Sequence, residues 1–585
     1  MPLNRRSARI LASAVAAGTL VAVSGCHSSS TAGAVSAATS TKVAQQSVAL
    51  GTAAESDAPD PAVAGARTGG TVTVLQQTDF SHLDPARVYS SANQTADLLL
   101  TRQLTSYQYV NGTTRLVGDL ATGTGTPSDG DRVWTYTLKQ GLKYQDGSVI
   151  TAQDLKYGIE RTFEAALSGG PTYLQTWLTG NENYSSVYPG PWNGQSLAAI
   201  QTPDSRTIVF RLTAPHADFP YAVAMQAYSP VPPAHDTRSA FDLDPFSSGP
   251  YMIQSHQADK SMVLVRSPGW SQATDPVRHA YPDEWKFVFG GQPLDIDQQL
   301  IAANGPDATA MTFNTLVTSD VAEQVLSTPS LLARTVDQPG PFSTFFDINN
   351  KRVTDPKIRQ ALLTAFPREQ VREIFGGPLY GDYSNTILSP VTNGYQNYNL
   401  FNAPVTGDPA AARKLLAASS DPHPTIVFAY QGTTQWEQAA VDVATAPDKA
   451  GFKVVTHEVD EKDYYSEIGD VNNQFDLYWA GWGPDWPSAD TVIPPLFDGR
   501  LIAPDSSNSM LFDDPAVNAD IDRINAETDL DQQNKDWAAL DKTIMEQVPI
   551  IPWVDGRQVS LYGPDLGGVH VGFIGTVYPL DVYVK

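Results

Sequence analysis

The chain has 585 residues, 38 Lys and Arg against 63 Asp and Glu, and a single cysteine, Cys26. One cysteine excludes intrachain disulfides and zinc clusters built on several cysteines. A formal charge of −25 disfavours nucleic acid as a partner, because binding to phosphates requires Lys and Arg on the protein. The hydrophobic content of 41% predicts a globular body, and the length is enough for several domains.

The N-terminus predicts export. Arg5, Arg6 and Arg9 precede an apolar run over residues 10–23, which is shorter than the ~20 residues of a membrane span. Small residues then lead directly into Cys26, which resembles the lipobox of bacterial lipoproteins. This resemblance implies removal of a signal peptide over 1–25 and diacylation of Cys26. We expect an extracytoplasmic protein anchored to the bacterial cell membrane through this cysteine.

Residues 26–69 are rich in Ser, Ala, Thr and Gly and show little hydrophobic periodicity. Such composition is typical of flexible linkers. We therefore expect a flexible tether between the membrane anchor and a folded body that begins near residue 70.

Strand and helix patterns alternate along the body, which predicts an α/β fold without an evident internal repeat. Alternating or β-rich segments predict strands over 71–75, 134–138, 207–212, 262–266, 285–289, 452–459 and 475–479, and an extended segment over 548–553. A hairpin-type turn is expected over 145–147.

Helices are expected where capping residues precede apolar residues at helical spacing. One spans 93–104, and Thr151 begins another with Leu155, Ile159 and Phe163 on one face. Further helices begin after Asp355, Asp408 and Asp514, each of which precedes a proline. Pro367 is expected to end the helix that follows Asp355. In the stretch after Asp514, the expected apolar face is formed by Ile521, Ile524, Trp537, Leu540 and Ile544.

No catalytic motif with adequate context is present: G-x-S-x-G, H-E-x-x-H and the phosphate loop are all missing from the sequence. The nine histidines are scattered, and none pairs with another at helical metal spacing beside an acid. We expect no enzymatic activity, no metal and no cofactor. A carboxylate-dependent hydrolase that uses two of Asp460, Glu461 and Asp463 stays open as a less favoured alternative to a solvated acidic loop.

The window over 478–486 places three of the eleven tryptophans beside two glycines and one carboxylate. Its candidate ligand-binding residues are Trp479, Gly481, Trp482, Gly483, Asp485 and Trp486. A carboxylate among aromatic rings favours an ammonium group, through a charge-assisted hydrogen bond and cation–π contacts. A tight turn that buries the tryptophans, with Asp485 as a cap, is the alternative that spacing leaves open.

Several windows in the same order resemble the bacterial extracellular solute-binding proteins of family 5, which include dipeptide-, oligopeptide- and nickel-binding proteins of ABC importers. The matching windows are L-D-P at 83–85, the W-T-Y-T-L-K-Q-G-L-K-Y-Q-D-G run at 134–147 with T-A-Q-D at 151–154, S-G-P-Y at 248–251, D-P-K-I-R-Q-A at 355–361, 408–416 and 481–485. The overall resemblance runs from about residue 69 to the C-terminus.

The resemblance implies a type II periplasmic-binding-protein fold, with two lobes that close about a hinge and an extra subdomain. The expected organisation is lobe I over 70–105, 247–335 and 557–585, the extra subdomain over 106–246, and lobe II over 336–556. The Asp that matches Asp485 holds the ligand's α-ammonium in peptide-binding relatives. Residues that match Tyr89, Ser90 and Ser91 pair with the peptide backbone.

Two positions depart from the family pattern. An Arg that can pair with a ligand carboxylate in oligopeptide binders is here Trp479, and a second Asp of the family motif falls on Ser488, with Asp490 two residues later.

The sequence therefore predicts a lipid-anchored, monomeric receptor that captures an oligopeptide or a similar ammonium-bearing solute between its lobes and delivers it to ABC permease subunits. A sensory peptide receptor is the alternative function.

Overall fold

The computed structural model describes residues 48–110 and 112–585, so Cys26 and the predicted signal peptide lie outside the described residues. Within this range the strands form sheets of three, five, six, two and four strands. The five-, six- and four-stranded sheets each have their own hydrophobic core, and they organise the molecule around the candidate site.

The five-stranded sheet organises the first lobe. Its strands, in spatial order, are Ala310–Met311, Thr71–Leu75, Glu284–Val288, Ser261–Arg266 and Tyr251–Gln257. Thr71–Leu75 is parallel to both of its neighbours, and the last two strands are antiparallel. The apolar residues of these strands alternate toward a core that also contains the buried face of the helix Ser91–Leu100.

The six-stranded sheet organises the second lobe. Its order is Gly381–Tyr383, Ile550–Leu561, Thr335–Ile348, Leu477–Trp482, Thr425–Gln431 and Lys453–Val459. One hydrophobic core contains residues of the helices Pro356–Ala365, Pro409–Ala417 and Thr434–Asp448, and another contains residues of Pro515–Asn525 and Leu530–Met545.

A four-stranded antiparallel sheet organises the third unit, which we call the subdomain. Its strands are Thr126–Ser128, Val133–Thr137, Thr207–Arg211 and Ile200–Gln201. The helices Ala152–Arg161, Tyr173–Thr179 and Phe219–Ala222 contribute to its core.

Two long strands connect the lobes. Thr335–Ile348 and Ile550–Leu561 pair antiparallel, and the register shifts between Pro339 and Ser343. At one end of this pair Val559 packs into the core of the first lobe, and at the other end Phe345 packs into the second. The interrupted pairing lies between these two anchored ends, which is where a hinge can bend.

Most predicted elements are confirmed. The helix Ala152–Arg161 begins with a complete capping box between Thr151 and Asp154, and the helix Pro356–Ala365 ends at Phe366, before Pro367. The turn over 145–147 is present, with an isolated antiparallel bridge between Lys143 and Val149. The seven predicted strands overlap observed strands.

Two helix predictions need correction. The helix expected over 93–104 spans Ser91–Leu100, because the chain turns extended at Thr101 so that Arg102 can pair with the buried Asp119 at 2.7 Å. The single C-terminal helical stretch is two helices, Pro515–Asn525 and Leu530–Met545, since Asp529 caps a new helix start. The five residues of its predicted apolar face are all buried.

The tether prediction is wrong for residues 48–57, which form regular structure. Ala49–Leu50 adds a parallel strand beside Thr113–Gly118, and Thr52 and Glu55 form a capping box on the helix Ala53–Asp57. The main chain of Val48 exchanges hydrogen bonds of 2.9 and 3.1 Å with the Asn393 side chain. Composition missed this segment because its order comes from long-range pairing. Among the described residues, none of the helices is long and apolar enough to span a membrane.

Candidate ligand-binding site

The site is built on the strand Leu477–Trp482 and the segment that follows it. This strand runs antiparallel to Thr335–Ile348, with Gly481 opposite Thr344 and Trp482 opposite Ser343. On its other side only Leu477 and Tyr478 pair with a neighbouring strand. The opposite edge of residues 479–482 therefore carries no strand among the described residues, and the Tyr464 hydroxyl donates to the Trp479 carbonyl at 2.8 Å.

Asp485 lies where the three units meet. The Tyr89 hydroxyl, at the start of a helix of the first lobe, donates to its Oδ2 at 3.0 Å. The Tyr173 hydroxyl of the subdomain donates to the same oxygen, and the backbone N–H of Asp485 donates to Thr491 Oγ1 at 3.1 Å. No described residue donates a hydrogen bond to Oδ1, so this oxygen is available to a ligand.

Burial raises the pKa of Asp485 to about 6, and the two tyrosine hydrogen bonds oppose this rise. Burial also raises the pKa of both Tyr89 and Tyr173, with the negative charge of Asp485 adding to the effect, so both hydroxyls stay protonated. A carboxylate that is ionised near neutral pH and held by two donors is positioned to accept a cation on its remaining oxygen.

A cleft of about 460 Å³, partly open to solvent, adjoins this carboxylate. Its aromatic and amide-bearing lining comes from Gln94, Tyr107, Tyr109, Gln226, Phe573 and Tyr578. The Tyr107 and Phe573 rings stack with centroids 5.4 Å apart. Among the described residues that line this cleft, Asp485 is the only charged one. Aromatic walls around one carboxylate suit an organic ammonium ion.

A second cavity, of about 1000 Å³ including space open to solvent, adjoins residues 480–482 of the strand. Gly481 and Trp482 line it together with the buried Asp347. Burial raises the pKa of Asp347 to about 7, although the Ser509 hydroxyl donates to one of its oxygens. Its other oxygen is buried without a hydrogen-bond partner.

The structure separates the predicted tryptophans. Trp482 is half-buried at the second cavity and donates to the Thr491 carbonyl at 2.7 Å. Trp479 packs on Trp436, with ring centroids 5.5 Å apart. Trp486 is fully buried in the core of the subdomain and donates to Asp218 at 2.7 Å. The spacing left open whether these tryptophans face a ligand or pack in the core. Trp486 packs in the core, whereas Trp482 lines a cavity.

The glycines and the residues beside Tyr89 also differ in their placement. A Cβ at Gly483 would lie 2.6 Å from a Phe342 ring atom, so a larger residue there would displace this half-exposed ring. Ser90 is exposed and precedes the helix, and Ser91 is its first residue. Ser91 therefore has no extended backbone for strand pairing, which corrects the expectation for that residue.

Sequence reasoning missed the tyrosines that complete the site. Tyr173 follows a Gly-Gly-Pro turn and begins a short helix, a context without a binding signal. Tyr107, Tyr109 and Tyr578 also line the cleft, and they lie in segments for which the sequence predicted neither a helix, a strand nor a binding role. Their convergence depends on tertiary structure rather than on local spacing.

The acidic loop considered for hydrolysis does not form a site. Asp460, Glu461 and Asp463 are exposed, and the Lys462 ammonium lies 3.5 Å from Asp460 and 3.9 Å from Asp463. Solvated carboxylates paired with a lysine lack the burial that tunes a general acid.

Comparison with known proteins agrees with this architecture. The chain is 30% identical to a solved structure of clavulanic acid biosynthesis oligopeptide binding protein 2, with a TM-score of 0.82 over 92% of this chain and 99% of that one. A periplasmic binding protein, DppA of Helicobacter pylori, solved with the peptide STSA, is 18% identical with a TM-score of 0.67, over 89% and 99% of the two chains. These likenesses confirm the predicted two-lobed type II fold.

Curated relatives are more distant in sequence but match over most of their length. The glutathione-binding protein GsiB of Salmonella paratyphi A is 23% identical over 512 residues, which cover 86% of this chain and 92% of the relative. The family model described as bacterial extracellular solute-binding proteins, family 5 middle, matches residues 115–502.

Proposed function

Because the chain belongs to family 5 of the bacterial extracellular solute-binding proteins, we propose that it captures an oligopeptide or a similar ammonium-bearing solute and delivers it to the permease of an ABC importer. The observation that carries the proposal is the Asp485 carboxylate. One of its oxygens is held by two tyrosines, while no described residue donates to the other, and Asp485 lines an aromatic cleft.

The chemistry of this carboxylate favours an ammonium group. Asp485 is the only charged group among the described residues that line the cleft, so its negative charge has no cation within that lining. A ligand ammonium would supply that charge, form a charge-assisted hydrogen bond to Oδ1 and contact the faces of neighbouring tyrosines.

The main chain beside Asp485 suits a peptide. Among the described residues, no strand pairs with the edge of residues 479–482 that faces away from Thr335–Ile348. An extended ligand whose N-terminus contacts Asp485 would lie along this edge and pair with it as an added strand. Gly481 would allow close approach of the ligand backbone there.

The strand Leu477–Trp482 offers no positively charged side chain to the carboxylate end of a peptide ligand. Trp479 stands where oligopeptide-binding relatives can carry an arginine, and it packs on Trp436. The second cavity adds two acids, Asp347 and Asp505, to its lining. The proposal therefore commits to recognition of the ammonium end and leaves peptide length open.

Calorimetric titration with a mixed peptide pool and the same pool N-acetylated tests this proposal. Wild-type protein should bind the free-amino pool, and Asp485→Asn should bind it about 10- to 150-fold more weakly, the equivalent of about 1.5–3 kcal/mol for a hydrogen bond to a charged group. The exposed Asp463→Asn variant is the charge-matched control and should bind like wild type. Equal affinity for the acetylated pool, or unchanged affinity in Asp485→Asn, would contradict the proposal.

Membrane anchoring through Cys26 is part of the same proposal. It rests on the lipobox-like sequence before Cys26, which lies outside the described residues. Two acyl chains hold a protein stably on a membrane. Expressed in a bacterial host, wild type should sediment with membranes and Cys26→Ser should be released. Membrane retention of the Cys26→Ser protein would contradict lipid anchoring at this residue.

A further inference from the structure

Three side chains of the kinds that bind metals meet where the second lobe contacts the subdomain. They are His216 and Asp218, which precede the helix Phe219–Ala222 of the subdomain, and Asp490, which follows Trp486 on the second lobe. One ligand atom from each lies within 4.8 Å of the other two. No helical spacing relates Asp490 to the other two, which is why the sequence predicted no metal site.

The two carboxylates lack a compensating positive charge among the described residues. Neither Asp218 nor Asp490 forms an ion pair with a described Lys or Arg. The Trp486 indole N–H donates to Asp218 at 2.7 Å, but an indole is neutral. Two acids this close are stabilised by a shared cation.

His216 presents its imidazole ring to this pair. Its ring stacks on Trp177 with centroids 3.7 Å apart and 17° between planes, and its nitrogens make no hydrogen bond to a described residue. A neutral imidazole with a free nitrogen is the form that coordinates metal ions.

We propose that His216, Asp218 and Asp490 bind a divalent transition metal ion of the Zn²⁺ class, and that this ion holds the second lobe against the subdomain. One imidazole and two carboxylates are a ligand set that Zn²⁺ accepts, with water in the remaining position. Two ligands come from the subdomain and one from the second lobe. The ion therefore binds best when these two units are in contact.

This arrangement couples the ion to the ligand site. Asp490 lies on the same segment as Asp485, whose carboxylate contacts Tyr173 of the subdomain. An ion that favours contact between the second lobe and the subdomain favours the arrangement in which these groups meet. By thermodynamic linkage, each of the two bound species then increases the affinity for the other.

A second cluster of His and Asp in the first lobe differs in charge. His279 lies 3.1 Å from Asp581 and 3.4 Å from Asp60. Although burial opposes protonation, the hydrogen bond to Asp581 and the charge of Asp60 raise the pKa of His279. The raised pKa favours a positively charged ring beside these two acids, so the cluster has a cation of its own and does not require a metal ion.

Zinc binding by the full chain, stripped with a chelator and without added solute, tests the inference independently of the proposed ligand. In Asp490→Asn the affinity of this site for Zn²⁺ should be at least ~10-fold weaker than in wild type. At zinc concentrations that fill only the wild-type site, equilibrium dialysis should therefore show one more bound equivalent in wild type than in the variant. His216→Gln should show the same loss. Asp460→Asn, a matched removal of an exposed carboxylate, should bind zinc like wild type. Ions at any other site are retained in all four proteins and cancel in the comparison.

The radius of gyration from X-ray scattering measures the second part of the inference. Saturating Zn²⁺ should reduce it in wild type and leave it unchanged in Asp490→Asn, while melting without metal confirms that the variants are folded. Equal zinc content and affinity in wild type and both ligand variants would overturn the site. Specific binding without a change in the radius of gyration would overturn the role of the ion in holding the lobe.

Discussion

The Tyr89 hydroxyl donates a 3.0 Å hydrogen bond to the Asp485 carboxylate, although the two residues are 396 positions apart in sequence. Tyr89 belongs to the first lobe, and Asp485 leaves the sheet of the second. The contact brings the predicted ammonium-binding residue against a residue of the opposite lobe. A ligand bound at Asp485 would therefore contact both lobes at once, which is how ligand binding can favour closure.

Ligand affinity should depend on pH through Asp485. An ammonium binds the ionised carboxylate, and the pKa of Asp485 is raised to about 6 by burial. Affinity should be full above about pH 6 and should fall about tenfold per pH unit below it, since the carboxyl group must then lose a proton on binding. Titration calorimetry from pH 4.5 to 8 measures this. A flat wild-type profile would contradict the role of Asp485, and Asp485→Asn should be flat.

The two tyrosines should set the midpoint of that profile. Each hydroxyl donates to ionised Asp485, so Tyr89→Phe and Tyr173→Phe should each raise its pKa and move the midpoint of binding to higher pH. Binding near pH 6 should weaken more than binding at pH 8. Tyr430→Phe removes a hydroxyl near Glu458 on the second lobe and is the control. An unchanged midpoint in both site variants would show that the tyrosines do not stabilise the ionised form.

Asp347 should lower stability at high pH. Burial raises its pKa to about 7, so the folded protein holds a proton that the unfolded chain releases near pH 4, and stability falls as pH rises through this window. Asp347→Asn should therefore raise the free energy of unfolding by about 1–3 kcal/mol at pH 8 and by little at pH 4. Urea unfolding at both pH values measures this.

The exposed Asp505, which lines the same cavity, gives the matched control, and Asp505→Asn should leave the pH dependence of stability unchanged. A destabilised Asp347→Asn at pH 8 would contradict the account. It would mean that the ionised Asp347 carboxylate is stabilised in the folded protein.

Local signals predicted much of the fold because the decisive chemistry lies within a few residues. Thr151 and Asp154 bond to each other across one helical turn, and Pro367 stops a helix by removing its own N–H. The helix expected to reach Leu104 ends at Leu100 because of a distant acid, Asp119, and no local pattern reports that partner.

Less of the site than of the fold was predicted, because the site is formed by residues that are distant in sequence. The density of aromatic residues around Asp485 pointed to this segment, but density does not give the direction of a side chain. Trp486 is buried in the subdomain core, whereas Trp482 lines a cavity four residues earlier. Tyr173 comes to Asp485 from 312 positions away, a contact that only the tertiary fold creates.

Native mass spectrometry of the protein purified from its own host tests the central claim most directly. Wild type should carry a bound solute with a free ammonium group, and Asp485→Asn prepared in parallel should carry it at a lower occupancy. A solute without an ammonium group, or the same solute at equal occupancy in both proteins, would contradict recognition through Asp485.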